Sequence, residues 1–99
     1  MSFSDNPIGV FDSGVGGLTV ARAIKDLLPN ERIVYFGDTL HLPYGEKSSN
    51  SIIRYSKQIT QFLLDQNCKA IVIACNSASA HAFESTKEIV PENLPVINV

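Results

Sequence analysis

Apolar and polar residues follow one another along the chain in a pattern that predicts four strands separated by three helices. Short, mainly apolar runs predict a buried strand at residues 7–11, a strand covered on both faces at 70–74, and further strands at 33–36 and 96–99. Helical spacing of apolar residues, or a run of small residues, predicts helices at 18–28, 49–66 and 77–89. Helix-length connections between successive strands require parallel pairing and right-handed crossovers. The sequence therefore predicts an α/β fold, a parallel sheet with flanking helices in the order βαβαβαβ.

The length of the chain bounds its domain organisation. Its 99 residues support a single domain near the small end of those that fold alone. The pattern ends at the fourth strand, although the outer strands of such a sheet need covering. We therefore expect residues 1–99 to be an N-terminal α/β domain portion, the first part of a larger enzyme.

Composition excludes several classes of protein. The apolar share of 44% is too high for a disordered chain, and the longest apolar run, residues 70–75, is far shorter than the roughly 20 residues that span a membrane. A secretory signal has a basic segment followed by an apolar run, and the residues after Met1 show no such pattern. Eight scattered Lys and Arg against ten Asp and Glu argue against nucleic-acid binding, and two Cys make no disulfide framework. We expect a soluble, cytoplasmic protein with no membrane or nucleic-acid partner.

Polar clusters follow three of the predicted strands. They are Asp12-Ser13-Gly14, Asp38-Thr39 and Cys75-Asn76-Ser77. Ligands of open parallel sheets bind outside the carboxyl ends of the strands. Three polar strand ends at one edge are more than packing requires, so this edge is the candidate site.

Cys75 is the candidate nucleophile or base at this edge. A Cys after an apolar strand is often only a small buried hydrophobe. Here Asn76 and Ser77 follow it at a predicted helix start, where backbone N–H groups and the helix dipole favour a thiolate and can seat a substrate carboxylate. Cys68 precedes the same strand, at the opposite edge, and we interpret it as structural.

The turn after the first strand has two interpretations. Asp12 and Ser13 are common helix-capping residues, and they are also suited to orienting an ammonium group or a catalytic proton. Glycines at 14, 16 and 17, with Asp38 after the next strand, resemble a dinucleotide-binding turn, although Thr19 occupies the last position of that fingerprint. A dinucleotide-binding half-domain is therefore an alternative hypothesis. A P-loop is excluded because no Gly-Lys-Ser/Thr follows the turn.

The remaining candidate residues carry weaker signals. The loop around Pro43-Tyr44-Gly45 can be a simple turn, but it would bring the Tyr44 hydroxyl to the rim of the same edge. His41 is a weak candidate for any role, and His81 is expected to be exposed or packed. With no carboxylate at ligand spacing from either His, no metal site is expected.

Three segments together resemble glutamate racemase. They are GVFDSGVGGLTV at 9–20, YFGDTLHLPYGEKS at 35–48 and VIACNSASA at 72–80, spread in order over most of the chain. One departure is Ser77, where the family commonly has Thr; a hydroxyl is retained. An aspartate or related amino-acid racemase is the nearest alternative.

The resemblance implies a cofactor-independent interconversion of L- and D-glutamate that supplies D-glutamate for peptidoglycan. It implies two cysteines on opposite faces of the substrate, with Cys75 as one base, Asp12 assisting it, and the second cysteine in a second domain outside these residues. It also implies a homodimer and three pairs of substrate-binding residues: Asp12 with Ser13, Tyr44 with Gly45, and Asn76 with Ser77. No Lys lies near the strand ends to hold pyridoxal phosphate, which is compatible with this route. By this hypothesis the 99 residues alone are inactive as a racemase, because one base cannot invert a stereocentre efficiently.

Overall fold

A computed structural model describes residues 5–14, 16–41 and 44–99. Its strands and helices are β1 (Ile8–Asp12), α1 (Gly17–Leu27), β2 (Ile33–Gly37), α2 (Ser49–Asp65), β3 (Ala70–Ile73), α3 (Asn76–Ile89) and β4 (Val96–Asn98). Two short 3-10 turns, Thr39–His41 and Tyr44–Glu46, lie in the loop between β2 and α2. Leu42 and Pro43 of the predicted loop, and Val15 of the glycine-rich turn, lie outside the described residues. The predicted order of elements is confirmed.

The four strands form one parallel sheet in the order β2-β1-β3-β4. Ile8 pairs with Ile33 on one side and with Ala70 on the other, so β1 is a central strand. The sheet confirms the predicted α/β fold with flanking helices. Because β1 and β3 are neighbours that are not consecutive in sequence, the carboxyl ends of these two strands form the topological switch point at which α/β sheets bind ligands.

The two faces of the sheet carry separate apolar clusters. Phe11, Ile71 and Ile73 belong to the cluster that includes Ile59 and Leu63 of α2. The alternate positions of the same strands belong to a smaller cluster with α1, made of Ile8, Val10 and Val72 with partly buried residues such as Val20 and Ile24. β1 and β3 are therefore covered on both faces, which explains why their sequences are continuously apolar, whereas Ile97 of the edge strand β4 is 54% exposed.

The strand ends differ by a residue or so from the predicted bounds. β1 runs on through Asp12 and β2 through Gly37, because the ladder between them continues to the Asp38 N–H, which donates to the Asp12 carbonyl at 2.9 Å. β3 ends at Ile73, before Ala74, and α3 begins at Asn76. Within the described part of the chain, no helix combines the length and apolarity that crossing a bilayer requires.

Candidate active site

The ends of three strands meet at the carboxyl edge of the sheet, as predicted. Asp12 ends β1, and Asp38 lies beside it through the N–H to carbonyl bond between their backbones. On the other side of β1 the Ala74 N–H donates to the Phe11 carbonyl at 2.8 Å, which places Cys75 just beyond the end of β1. The three polar clusters therefore lie along one edge.

Asp12 is a buried carboxylate, 4% exposed, and both of its oxygens have donors. Oδ1 accepts from the Gly14 N–H at 3.0 Å and from the Ser13 hydroxyl at 3.4 Å. Oδ2 accepts from the N–H of Gly17, the first residue of α1, and from the Tyr35 hydroxyl at 2.9 Å. The Asp12 side chain thus closes the N-terminus of α1, and its part in catalysis or substrate binding stays a prediction, as does that of Ser13.

Two glycines leave room for this arrangement. A Cβ on Gly17 would lie 2.7 Å from the Cβ of Asp12, and a Cβ on Gly37 would collide with the carbonyl oxygen of Gly14. Gly17 and Gly37 are therefore required for packing of the protein against itself at this turn.

Tyr35 is a residue of this site that sequence reasoning missed. Its hydroxyl lies 2.9 Å from Asp12 Oδ2 and 2.8 Å from the Gly14 carbonyl oxygen. Burial, together with the hydrogen bond to Asp12, raises the pKa of Tyr35 to about 12. The sequence shows only a tyrosine in an apolar strand; its place two residues before Gly37, near the strand end, is the one signal that could have marked it.

Tyr44 faces inward rather than toward the rim. Its side chain is 1% exposed, and its hydroxyl donates to Asp38 Oδ2 at 2.7 Å. Burial and this bond raise the pKa of Tyr44 well above its ordinary value. The prediction that the Tyr44 hydroxyl lies at the rim, available to a ligand, is therefore wrong. Contact between substrate and the other atoms of Tyr44 stays a prediction.

His41, a weak candidate in the sequence, also binds Asp38. Its Nδ1 lies 2.7 Å and 2.9 Å from the two carboxylate oxygens, so it carries a hydrogen and donates. The imidazole stacks on the Tyr55 ring of α2, with centroids 3.7 Å apart and planes 12° from parallel. His41 is thus held between α2 and the carboxylate.

Gly45 lies next to Tyr44 on the exposed side of its turn. A Cβ built on Gly45 would meet no atom of the described residues within 4 Å. Packing of the described residues therefore gives no reason for a glycine here, and the predicted role of Gly45 in substrate binding stays a prediction.

Cys75 is the N-cap residue of α3, with extended backbone angles and 9% exposure. Its side chain accepts no capping hydrogen bond from the described residues of the helix. The other two helices differ, since Asp12 binds the first N–H of α1 and Ser48 accepts from the Ser51 N–H of α2 at 3.1 Å. The start of α3 is therefore the helix N-terminus best able to receive an anion.

Asn76 and Ser77, the two residues after Cys75, form the first turn of α3. Asn76 is exposed and Ser77 is half-buried. Both lie where a ligand at the helix N-terminus would contact them, and their predicted binding role stays a prediction.

Cys68 and His81 lie where the sequence suggested. Cys68 is buried before β3, at the opposite edge of the sheet from Cys75, and burial raises the pKa of its thiol. His81 is exposed, with Nδ1 3.0 Å from the Ser49 hydroxyl. Among residues 5–14, 16–41 and 44–99, no three His, Cys, Asp or Glu side chains group as metal ligands.

The geometry does not favour the dinucleotide hypothesis. The N-terminus of α1, where a pyrophosphate would lie, is occupied by the Asp12 carboxylate. Asp38, which would bind the ribose hydroxyl, is 6% exposed and already accepts from Tyr44 and His41. Both groups that suggested a dinucleotide are engaged within the protein.

Comparison with known proteins extends over nearly the whole chain. No protein-family model matches it. Glutamate racemase of Syntrophus aciditrophicus is 54% identical over 94 residues, which are 95% of this chain and 34% of that protein. The structure of glutamate racemase from Francisella tularensis in complex with D-glutamate matches with a TM-score of 0.91 at 49% identity, over 96% of this chain and 36% of that one. The enzyme from Aquifex pyrophilus matches with a TM-score of 0.88 at 50% identity, over 93% of this chain and 36% of that one.

These matches agree in sequence and in fold. The chain spans about a third of the length of the curated relatives that it matches. Over that third, the chain is similar to glutamate racemases in both sequence and fold.

Proposed function

We propose that this chain forms one half of the active site of a cofactor-independent glutamate racemase. The observation that carries the proposal is Cys75 at the uncapped N-terminus of α3, at the switch point of the sheet, in a chain about half identical to glutamate racemases. The substrate is glutamate, the product D-glutamate serves peptidoglycan synthesis, and the enzyme acts in the cytoplasm as a homodimer.

Cys75 is the base on one face of the substrate. Its thiolate takes the α-proton, and the positive end of the α3 dipole stabilises that thiolate. Removal of the proton builds negative charge beside the α-carboxylate, so N–H donors of Asn76 and Ser77 aimed at the carboxylate stabilise the transition state. Asp12, at the neighbouring strand end, assists the base, and the turn at Tyr44 and Gly45 closes the site.

Inversion requires a second thiol on the opposite face of the α-carbon. Cys68 cannot supply it, because it lies before β3 and Cys75 lies after it, so the whole strand separates them. At about 3.3 Å per residue this places the two backbones roughly 20 Å apart. The second thiol and the residues that position it belong to the further domain that the family resemblance implies.

The test is the replacement of Cys75 in the intact protein. We expect Cys75→Ala to abolish racemisation from either enantiomer, while glutamate binding, measured by calorimetry, largely survives. Cys68→Ala is the matched control and retains activity, because that thiol is far from the site. A Cys75→Ala protein that racemises both enantiomers at near the original rate would refute the assignment.

Deuterium exchange at the α-carbon tests the substrate. In D₂O we expect deuterium to enter glutamate much faster than aspartate when each is supplied at the same concentration. Faster exchange into aspartate would replace glutamate by aspartate in the proposal and leave the role of Cys75 intact.

A further inference from the structure

Asp38 is a second buried carboxylate at the site edge, and both of its side-chain donors come from the loop that follows it. Tyr44 donates to Oδ2 at 2.7 Å, and His41 donates from Nδ1 at 2.7 Å to the same oxygen and 2.9 Å to the other. The Asp38 carboxylate therefore binds the loop at two points, His41 and Tyr44.

The backbone of Asp38 is itself fixed. Its N–H donates to the Asp12 carbonyl at the end of the central strand β1. On the far side, the His41 ring stacks on Tyr55, and the Arg54 guanidinium lies 5.4 Å from the Tyr55 ring centroid. The loop is thus held from both the sheet and α2.

Tyr44 connects this network to Cys75. The two side chains belong to the same buried cluster, together with Ala78 of α3, and a negative charge on Cys75 is close enough to Tyr44 to raise the pKa of the phenol. The turn 44–46 also contacts α3. Tyr44 and Cys75 therefore lie in the same buried region, next to the start of α3.

A structural loop needs no buried charge, since burying a carboxylate is unfavourable unless several donors compensate. The buried carboxylate orients its hydrogen-bond donors, which an apolar contact would not do, because charge-assisted hydrogen bonds fix both distance and direction. Here the direction fixed is that of the Tyr44 ring, and with it the backbone of Gly45.

We propose that Asp38 and His41 are positioning residues that hold the Tyr44–Glu46 turn over Cys75. The expected effect on catalysis rests on the proposed racemase function, whereas the expected effect on the position of the turn does not. Asp38 orients Tyr44 directly, and His41 acts through Asp38 by completing its hydrogen bonds and bracing the loop on Tyr55. Neither residue is expected to touch substrate.

The first experiment measures thiol reactivity in the intact protein. Iodoacetamide alkylation of Cys75 and Cys68 is followed by mass spectrometry in the original protein, in Asp38→Asn and in His41→Ala. We expect alkylation of Cys75 to accelerate several-fold in both variants while that of Cys68 is unchanged. Cys68 reports general loosening because it is buried at the opposite edge. Parallel acceleration of both thiols, or no change in Cys75, would overturn the inference.

The second experiment measures catalysis. We expect kcat/KM to fall between roughly tenfold and hundredfold in Asp38→Asn, as for small displacements of groups that contact substrate. His41→Ala should lose less, and His41→Asn should recover much of that loss because its amide keeps a donor near the Nδ1 position. His81→Ala is the matched control for removal of an imidazole and should keep full activity.

The outcomes separate the two proposals. Unchanged kcat/KM in both Asp38→Asn and His41→Ala, with Cys75→Ala inactive, would overturn the positioning role alone. An active Cys75→Ala protein would overturn the racemase assignment, and the alkylation rates would still decide whether Asp38 and His41 hold the turn. If Asp38→Asn does not fold, His41→Ala, at a side chain that is 30% exposed, decides the matter.

Discussion

Asp12 and Asp38 are buried carboxylates, and each accepts a hydrogen bond from a tyrosine hydroxyl. Tyr35 binds Asp12, and Tyr44 binds Asp38. A buried carboxylate without donors costs several kcal/mol, and charge-assisted hydrogen bonds offset that cost. The pKa of each tyrosine is raised, since burial and the adjacent carboxylate both disfavour the phenolate. At neutral pH both hydroxyls are therefore protonated donors.

Removing the Tyr35 hydroxyl should destabilise the protein without altering its packing. Tyr35→Phe takes a donor from Asp12 and from the Gly14 carbonyl, and we expect the free energy of unfolding in urea to fall by about 1–2 kcal/mol. Tyr55→Phe is the control, because the Tyr55 hydroxyl forms no hydrogen bond with the described residues. An equal loss in the two variants would contradict this account.

The contribution of Tyr35 to the free energy of unfolding should decrease at alkaline pH. Its folded pKa of about 12 lies above the unfolded value of 10, so between these pH values the unfolded chain loses a proton that the folded chain keeps. The contribution of Tyr35 is therefore complete below pH 10 and is lost as the pH rises to about 12. The stability difference between the original protein and Tyr35→Phe should shrink between urea titrations at pH 9 and pH 11. A constant difference would show that Tyr35 does not titrate in this way.

At the scale of elements, the three helices begin in different ways, and the difference supports the proposed place of the site at α3. The N-terminus of α1 is closed by a side chain from β1, and that of α2 by its own N-cap serine. The N-terminus of α3 begins at a thiol that makes no cap. A capped helix start has already satisfied donors that an anion would use, so we expect a substrate carboxylate to bind at the start of α3 and not at that of α1.

The start of α1 offers a matched pair of glycine substitutions. Gly17→Ala places a methyl group 2.7 Å from the Asp12 Cβ, whereas Gly16→Ala meets only Asp12 Oδ2, at 4.0 Å. We expect Gly17→Ala to destabilise the protein by roughly 1–3 kcal/mol through overpacking and loss of the Asp12 bond, and Gly16→Ala to be nearly neutral. Thermal unfolding measures both. Similar melting temperatures for the two variants would show that Asp12 moves freely and does not close α1.

At the scale of the whole molecule, the sheet brings one thiol to its carboxyl edge and leaves the other at the amino edge. A single thiol can return a proton only to the face from which it was taken. Under the proposed two-thiol mechanism, the described fold therefore holds one of the two acid–base groups, while relatives of about three times its length share its sequence and fold over this part.

The 99 residues by themselves should therefore exchange the α-proton without inverting the carbon. We expect slow deuterium incorporation into L-glutamate in D₂O, with retained configuration and no D-glutamate by chiral chromatography. The same residues carrying Cys75→Ala are the control and should show no incorporation above buffer. Accumulation of D-glutamate with the 99 residues alone would contradict the two-thiol mechanism.

The sequence by itself determined the architecture and the location of the candidate site. Strands covered on both faces are continuously apolar, and amphipathic helices have a fixed period. The local sequence pattern was therefore enough to predict β3 from Ile71–Ile73 and α2 from residues such as Ile59 and Leu63. Parallel connectivity then requires the residues after each strand to lie at one edge. Asp12, Asp38 and Cys75 met there for this reason alone.

Only the tertiary structure decided which atoms of these residues remain available. Tyr35 and Tyr44 face carboxylates that lie 23 and 6 positions away in the chain, and His41 is fixed by stacking on Tyr55 of another helix. Neither a strand pattern nor a loop composition encodes such pairings, because a hydrogen bond depends on distances and directions set after the elements pack. Sequence thus placed polar residues at the edge, and packing closed Asp12 and Asp38 while leaving the start of α3 uncapped.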